Sequence, residues 1–168
     1  MPSEAQLRKA APAAYLAALA VLGPFLTPQI GIWHATAGVG SLNWRFGFVG
    51  LVYSSSFYLL LALLLAALTA AYYTHRRVLV ALGVVGVAAA VLLLAALPLF
   101  ALDTLQLRKT LNPGVFVSYK EAALKGAALG ALAVPFFLVF ALGVLKASRS
   151  LPQSRGAGDR QAPAPLIR

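Results

Sequence analysis

The chain has 168 residues, of which 61% are hydrophobic and 11% are charged. It contains no cysteine, which excludes disulfides, thiolate metal sites and a cysteine nucleophile. The formal net charge is +10, but the basic residues stand at the ends of apolar stretches rather than on a stripe with interleaved aromatic residues. We therefore expect them to contact lipid phosphates, and we expect no nucleic-acid partner.

Every charged side chain lies outside four apolar stretches, at 12–33, 46–73, 78–102 and 126–145. At about 1.5 Å of rise per helical residue, each stretch is about 30 Å or longer, which is enough to cross the hydrocarbon core of a bilayer. A soluble helical protein would show a polar face on each helix, whereas the third stretch is apolar around its whole circumference.

The sequence therefore predicts an all-α integral membrane protein, a four-helix transmembrane bundle with short loops. The bundle takes up residues 1–146, with spans at about 12–33, 46–73, 78–102 and 122–145. Residues 147–168 contain almost no large apolar side chains and are predicted to form a disordered, basic cytoplasmic tail.

The first span is expected to begin near Pro12, because proline is tolerated in a first helical turn. Pro24 and Pro28 each remove a backbone hydrogen bond, so this helix should kink or end near Thr27.

The N-terminal segment also allows a second interpretation. Arg8 and Lys9, the apolar run and then Ala35-Thr36-Ala37 resemble a secretory signal with a small-residue cleavage site. Cleavage there would leave three spans in the mature chain. Residues 34–45 are otherwise a short connection, too small for a folded domain.

The polar turn at residues 74–77 is so short that the second and third helices must be antiparallel neighbours. The third helix is expected to continue to Arg108 and Lys109, whose charges suit a helix C-terminus. Ser118 and Glu121 are predicted to form a capping box for the fourth helix, after a turn at 112–114. Pro135 should kink that helix at mid-membrane depth.

The distribution of basic residues predicts a multi-pass protein of the plasma (inner) membrane with both termini in the cytoplasm. The cytoplasmic side would carry Arg8, Lys9, Arg76, Arg77, Lys146, Arg149, Arg155, Arg160 and Arg168; the other side would carry Arg45, Arg108, Lys109, Lys120 and Lys125. Of these, Arg76, Arg77, Lys146 and Arg149 are the candidate contacts for anionic lipid. Aromatic residues are predicted to anchor both interfaces, with Tyr15, Tyr72 and Tyr73 on the inner side and Trp33, Trp44 and Tyr119 on the outer side.

The second span holds a dense polar cluster, Tyr53-Ser54-Ser55-Ser56-Phe57-Tyr58. Consecutive helical residues are about 100° apart, so the three serines cannot face one partner, and at least one should bond back to the carbonyl four residues earlier. One interpretation is a site for a polar ligand headgroup, with Tyr53 and Tyr58 flanking it. Hydrogen bonding between helices is the favoured interpretation.

Small residues and the few remaining polar residues suggest packing rather than chemistry. Gly126-x-x-x-Gly130 permits close helix contact, inside the bundle or against another subunit. His34 and His75 should lie at opposite ends of the spans, where they cannot share one haem. Asp103 is expected at a helix end, and Asp103 and Glu121 are assigned structural rather than catalytic or metal-binding roles.

No ionisable group is expected at mid-membrane depth, which argues against a proton-coupled transporter. The favoured function is a non-catalytic small membrane subunit, without a catalytic, metal or cofactor site, that packs against and stabilises a larger complex. Its expected partners are membrane lipids, together with other integral membrane subunits or further copies of the chain. A bound lipid or pigment would be compatible with this role. The alternative is a self-assembling channel or carrier with its path between subunits, and a lipid-modifying membrane enzyme is less favoured.

Overall fold

A computed structural model describes residues 4–33 and 38–151 of the chain. Within this part the chain is all-helical, as predicted, and forms five helices. They are α1 (Glu4–Ala20), α2 (Gly23–Trp33), α3 (Leu42–Tyr72), α4 (Arg76–Thr110) and α5 (Pro113–Ser150). The predicted features at His34, at Ala35-Thr36-Ala37 and in the tail from 152 onward lie outside the described residues.

Helices α3, α4 and α5 are each long and apolar enough to cross a membrane. Their lengths, 31, 35 and 38 residues, correspond to about 46, 52 and 57 Å of helix, which exceeds a hydrocarbon core of about 30 Å. Helices α1 and α2 pass the same test only as a pair, bent by 41°.

The break between α1 and α2 comes earlier than the prolines predicted. It lies at residues 21 and 22, not near Thr27, whose hydroxyl donates to the carbonyl of Gly23 at 2.8 Å inside α2. Pro24 falls in the first turn of α2, where its missing N–H disrupts no hydrogen bond. The expectation that Pro12 opens a helix is wrong, because α1 begins at Glu4 and Pro12 lies in its interior.

Helices α3 and α4 are antiparallel neighbours, as the short turn predicted. Ser41 caps α3 by accepting a hydrogen bond from the backbone N–H of Trp44 at 3.3 Å. After α3 ends, Thr74 has a φ of 57° and turns the chain into α4. The predicted extension of the third helix to Arg108 and Lys109 is confirmed, since both lie in the last turn of α4.

The start of α5 corrects the predicted capping box. The helix begins at Pro113 with Asn112 as its N-cap, so Ser118 and Glu121 are exposed residues inside it. Proline at the first helical position has its φ already set for a helix and lacks only an N–H that would be unpaired. The helix therefore starts before Ser118. It continues through Pro135 and ends at Ser150, four residues past residue 146, where the bundle was predicted to end.

The three long helices run in alternating directions, so that the end of each lies near the start of the next. Helix α4 lies antiparallel to both α3 and α5, and α1 and α2 pack mainly against α3. Glycines bring α4 and α5 close, because a Cβ on Gly83 would lie 2.6 Å from Leu145 and one on Gly86 would lie 3.0 Å from Phe140. We call the end of the bundle that holds the α3–α4 turn the turn end, and the other the opposite end.

Candidate functional site

Tyr53 lies at the junction of α3, α4 and α5, near the middle of the bundle. Its side chain is 1% exposed, and its hydroxyl donates to the carbonyl of Leu93 on α4 at 3.1 Å. Phe100 meets the ring edge-on at 5.6 Å between centroids. On the α5 side, Gly130 leaves room for the ring, since a Cβ there would lie 2.7 Å from it. Tyr53 is thus a packing residue that joins three helices.

The three serines bond to the backbone of their own helix. The hydroxyls of Ser54 and Ser55 donate to the carbonyl of Leu51 at 3.0 and 2.6 Å, and Ser56 donates to the carbonyl of Tyr53 at 2.8 Å. The predicted bond to the carbonyl four residues earlier is therefore present at Ser55. Ser55 and Ser56 are buried, whereas Ser54 is exposed.

Gln29 completes the polar cluster, although the sequence analysis did not single it out. Its Nε2 donates to the hydroxyl of Ser55 at 2.9 Å and joins α2 to α3. Its Oε1 is buried and has no hydrogen-bond partner among the described residues. The available signal was a lone amide in an apolar segment, next to Pro28.

Tyr58 stands apart from the rest of the cluster, on the outward side of α3. It is 42% exposed and Phe57 beside it is 66% exposed, and their rings meet edge-on at 6.2 Å. The hydroxyl of Tyr58 makes no hydrogen bond within the described part of the chain. With Ser54, one turn away, these residues form an outward surface that we call the Tyr58 face (Ser54, Phe57 and Tyr58).

A cluster of rings occupies the turn end. The hydroxyl of Tyr15 on α1 lies 2.8 Å from Nδ1 of His75, and Tyr73 stacks on the same imidazole at 6.0 Å between centroids. Beside these rings is a partly open cavity of about 670 Å³, which Ala11 and Pro12 also line. His75 thus ties the start of the chain to the α3–α4 turn.

An ion pair stands at the opposite end of the bundle. Arg45 near the start of α3 contacts Asp103 of α4 at 2.8 Å, and their side chains are 49% and 10% exposed. Asp103 lies inside α4, which corrects the expectation that it ends a helix. Asp103 pairs with Arg45, and not with the carboxylate of Glu121. No group of three or more potential metal-ligating residues occurs in the part of the chain that the structure describes.

Both glycines of the predicted close-packing motif face the inside of this chain. A Cβ on Gly126 would lie 3.2 Å from Phe100 and 3.9 Å from the backbone of Gly50. Together with the contact of Gly130 with Tyr53, this shows α3 and α5 in close approach in the half of the bundle toward the opposite end. These two glycines pack within the chain rather than against a second subunit.

The predicted interfacial residues fall at the two ends of the helices. Tyr15, Tyr72 and Tyr73 lie at the turn end, where Tyr72 is exposed and Tyr73 half-buried. At the opposite end Trp44 stacks on Phe48 at 5.1 Å, and Tyr119 packs on Phe46 at 5.5 Å. The side chain of Trp33, at the end of α2, lies outside the described part. The basic residues Arg76, Arg77, Lys146 and Arg149 are all at the turn end, where α4 starts and α5 ends.

Comparisons of the chain with protein-family models, with curated proteins and with solved structures give no match.

Proposed function

We propose that this chain is an integral membrane protein with four spans, in which the bent α1–α2 pair crosses as one broken helix. The contacts along α3 support this arrangement. Tyr15 contacts His75, Gln29 contacts Ser55, and a Cβ on Gly47 would lie 3.0 Å from Ile32. The α1–α2 pair therefore lies antiparallel to α3 over most of the length of α3.

The proposed orientation places both termini in the cytoplasm of a plasma-membrane (inner-membrane) protein. With four spans, the N-terminus, the α3–α4 turn and the end of α5 share one side. Nine of the 14 basic residues belong to that side, and an excess of Lys and Arg favours the cytoplasm. The turn end would then be the cytoplasmic end.

The proposed role is a non-catalytic subunit that packs laterally against another membrane helix in a larger assembly, and Tyr58 is the observation that carries it. Tyr58 is near the midpoint of α3 (Leu42–Tyr72), about 15 Å from either surface of the hydrocarbon core. A tyrosine side chain is too short to reach water from there. Leaving a hydroxyl unpaired in an apolar medium costs about 2–7 kcal/mol, so an acceptor on a neighbouring helix would stabilise it.

The rest of the polar cluster also supports a packing role. Ser55, Ser56 and Tyr53 direct their hydroxyls to carbonyls inside the chain. The apolar residues that remain exposed along α3, α4 and α5 suit contact with lipid or with apolar helices.

A channel or carrier formed between copies of the chain is the second candidate. The observation that favours it is that Ser54 and Tyr58, one turn apart, both lie on the outward side of α3. A path between subunits would have to pass these two hydroxyls. The serines at 55 and 56 are buried inside the subunit and would not line it.

The test compares Tyr58→Phe with Tyr72→Phe, which removes a hydroxyl from an exposed tyrosine at the turn end. Each variant is purified from its native membrane in mild detergent, and its co-purifying polypeptides are quantified by mass spectrometry. Tyr58→Phe should lower retention of the partner about threefold or more, because a hydrogen bond between membrane helices contributes about 0.6 kcal/mol on average and up to about 1.7. Tyr72→Phe should leave it unchanged.

Two outcomes would count against the subunit role. If both variants retained the partner equally, the Tyr58 hydroxyl would not contact it, and the main support for the subunit role would be lost. A homo-oligomer that conducts in liposomes, with a flux altered by Ser54→Ala, would favour the channel instead.

A further inference from the structure

An apolar groove lies between α3 and α5 in the half of the bundle toward the turn end. We call it the α3–α5 groove; among the residues that line it are Leu64, Leu68 and Ala71 of α3, Leu79 of α4, and Gly143 and Ala147 of α5. Its volume is about 280 Å³. Almost all of its surface is apolar.

The groove lies beyond the segment in which glycines bring α3 and α5 together. Toward the opposite end, Gly126 and Gly130 bring α5 against α3, with Gly50 and the ring of Tyr53 in close approach. Farther along α5, a Cβ added to Gly143 would meet no atom within 4 Å. No described side chain fills the space beside Gly143.

Two basic residues stand where the groove reaches the turn end. Arg76 precedes Leu79 by three residues on α4, and Lys146 follows Gly143 by three residues on α5. Neither residue lines the groove itself, but helical residues three apart lie on neighbouring parts of the same face, so each basic residue is one turn from a lining residue on the side toward the turn end. The structure gives neither of them an ion pair among the described residues, where the only such pair joins Arg45 to Asp103.

We propose that the α3–α5 groove holds one acyl chain of an anionic phospholipid whose phosphate contacts Arg76 and Lys146. A phospholipid combines a thin apolar chain with a negative group at its end, which matches an apolar groove with cations near one end. The inference rests on the proposed membrane insertion, but not on the partner subunit.

The experiment uses the full chain, delipidated in mild detergent. Native mass spectrometry follows its titration with dioleoyl phosphatidylglycerol and, separately, dioleoyl phosphatidylcholine. The two lipids have identical acyl chains and differ in headgroup charge. We expect at least one site that binds phosphatidylglycerol about tenfold or more tightly than phosphatidylcholine, because two basic residues contact the headgroup.

Matched variants separate the groove from the charges. Gly143→Leu fills the groove and should weaken phosphatidylglycerol binding tenfold or more, whereas Gly31→Leu adds the same side chain to α2, where a Cβ also meets no neighbour, and should change nothing. Lys146→Gln should weaken binding about fivefold. Lys125→Gln, which removes an exposed charge from the opposite end of α5, should change it less than twofold.

Equal affinity for the two lipids, or unaltered binding in Gly143→Leu, would overturn the proposal. A change in oligomeric state in Gly143→Leu would also overturn it, because a second copy of the chain would then occupy the α3–α5 groove. Lys146→Gln keeps the proposal testable even if Gly143→Leu fails to fold, since Lys146 is exposed. A chain that stays monodisperse without detergent would instead refute membrane insertion itself, and that result is distinct from the others.

Discussion

Alanine at Gly130 and alanine at Gly143 should have opposite effects on stability, although both glycines lie in α5. Glycine in a helix interior is about 0.5–1 kcal/mol less favourable than alanine, so both substitutions gain that amount. They differ in what the new methyl group meets. At Gly143 it meets open space, whereas at Gly130 it would lie 2.7–2.9 Å from three carbons of the Tyr53 ring.

The Tyr53 ring has little freedom to move away. Its hydroxyl donates a hydrogen bond to the carbonyl of Leu93, and its ring packs against Phe100 and against α5 at Gly130. Overpacking of this kind costs about 1–3 kcal/mol. Because the gain in helix propensity is common to both variants, Gly130→Ala should be about 1–3 kcal/mol less stable than Gly143→Ala. Gly143→Ala should be slightly more stable than the parent chain.

The assay is equilibrium unfolding in mixed micelles of mild detergent with increasing dodecyl sulfate, followed by circular dichroism. A double-mutant cycle with Tyr53→Leu assigns the cost to one contact. The smaller side chain should make room for the methyl group, so Gly130→Ala should lose most of its penalty in the Tyr53→Leu background. Equal stability of the two alanine variants, or a coupling energy below about 0.5 kcal/mol, would refute the proposed contact of Gly130 with Tyr53.

Two further substitutions test the polar contacts in the same unfolding assay. Asp103→Asn should cost about 1 kcal/mol, a modest figure because Arg45 is half exposed and can find other partners; an unchanged midpoint at low salt would contradict the ion pair. Gln29→Met should be close to neutral or slightly stabilising, because it removes the unpaired Oε1 together with the bond to Ser55. A loss of more than about 2 kcal/mol would show that Oε1 has a partner.

The sequence predicted the structure best where the signal extends over many consecutive residues. Charges excluded from apolar stretches predicted the three long apolar helices and the turn between α3 and α4. The prediction was less accurate at boundaries, where two local preferences compete. Ser118 and Glu121 satisfied a capping pattern, but Pro113 allowed α5 to begin earlier. Pro24 and Pro28 predicted a break near Thr27, but Pro24 fits the first turn of a new helix and the break moved ahead of it.

The tertiary contacts could not be predicted from the sequence, because they depend on the register of helices far apart in the chain. Nothing local to Arg45 points to Asp103, which is 58 residues away. The small-residue motif at Gly126 and Gly130 predicted a close contact without saying what it would contact. Gln29 was missed because one amide in an apolar segment forms no pattern by itself. Its importance depends on which residue of α3 lies opposite.

The register itself needs a physical cause, because in the proposed membrane setting apolar faces give helices little reason to prefer one alignment over another. Two polar contacts along the α3–α4 pair agree on the same antiparallel alignment, Tyr53 with the carbonyl of Leu93 and Arg45 with Asp103. A slip of one helical turn would move the partners about 5.4 Å apart and leave a buried carboxylate without its cation, which is strongly unfavourable. We infer that these contacts select the alignment of α3 on α4, and that α5 is then positioned by its glycines against Tyr53 and Phe100.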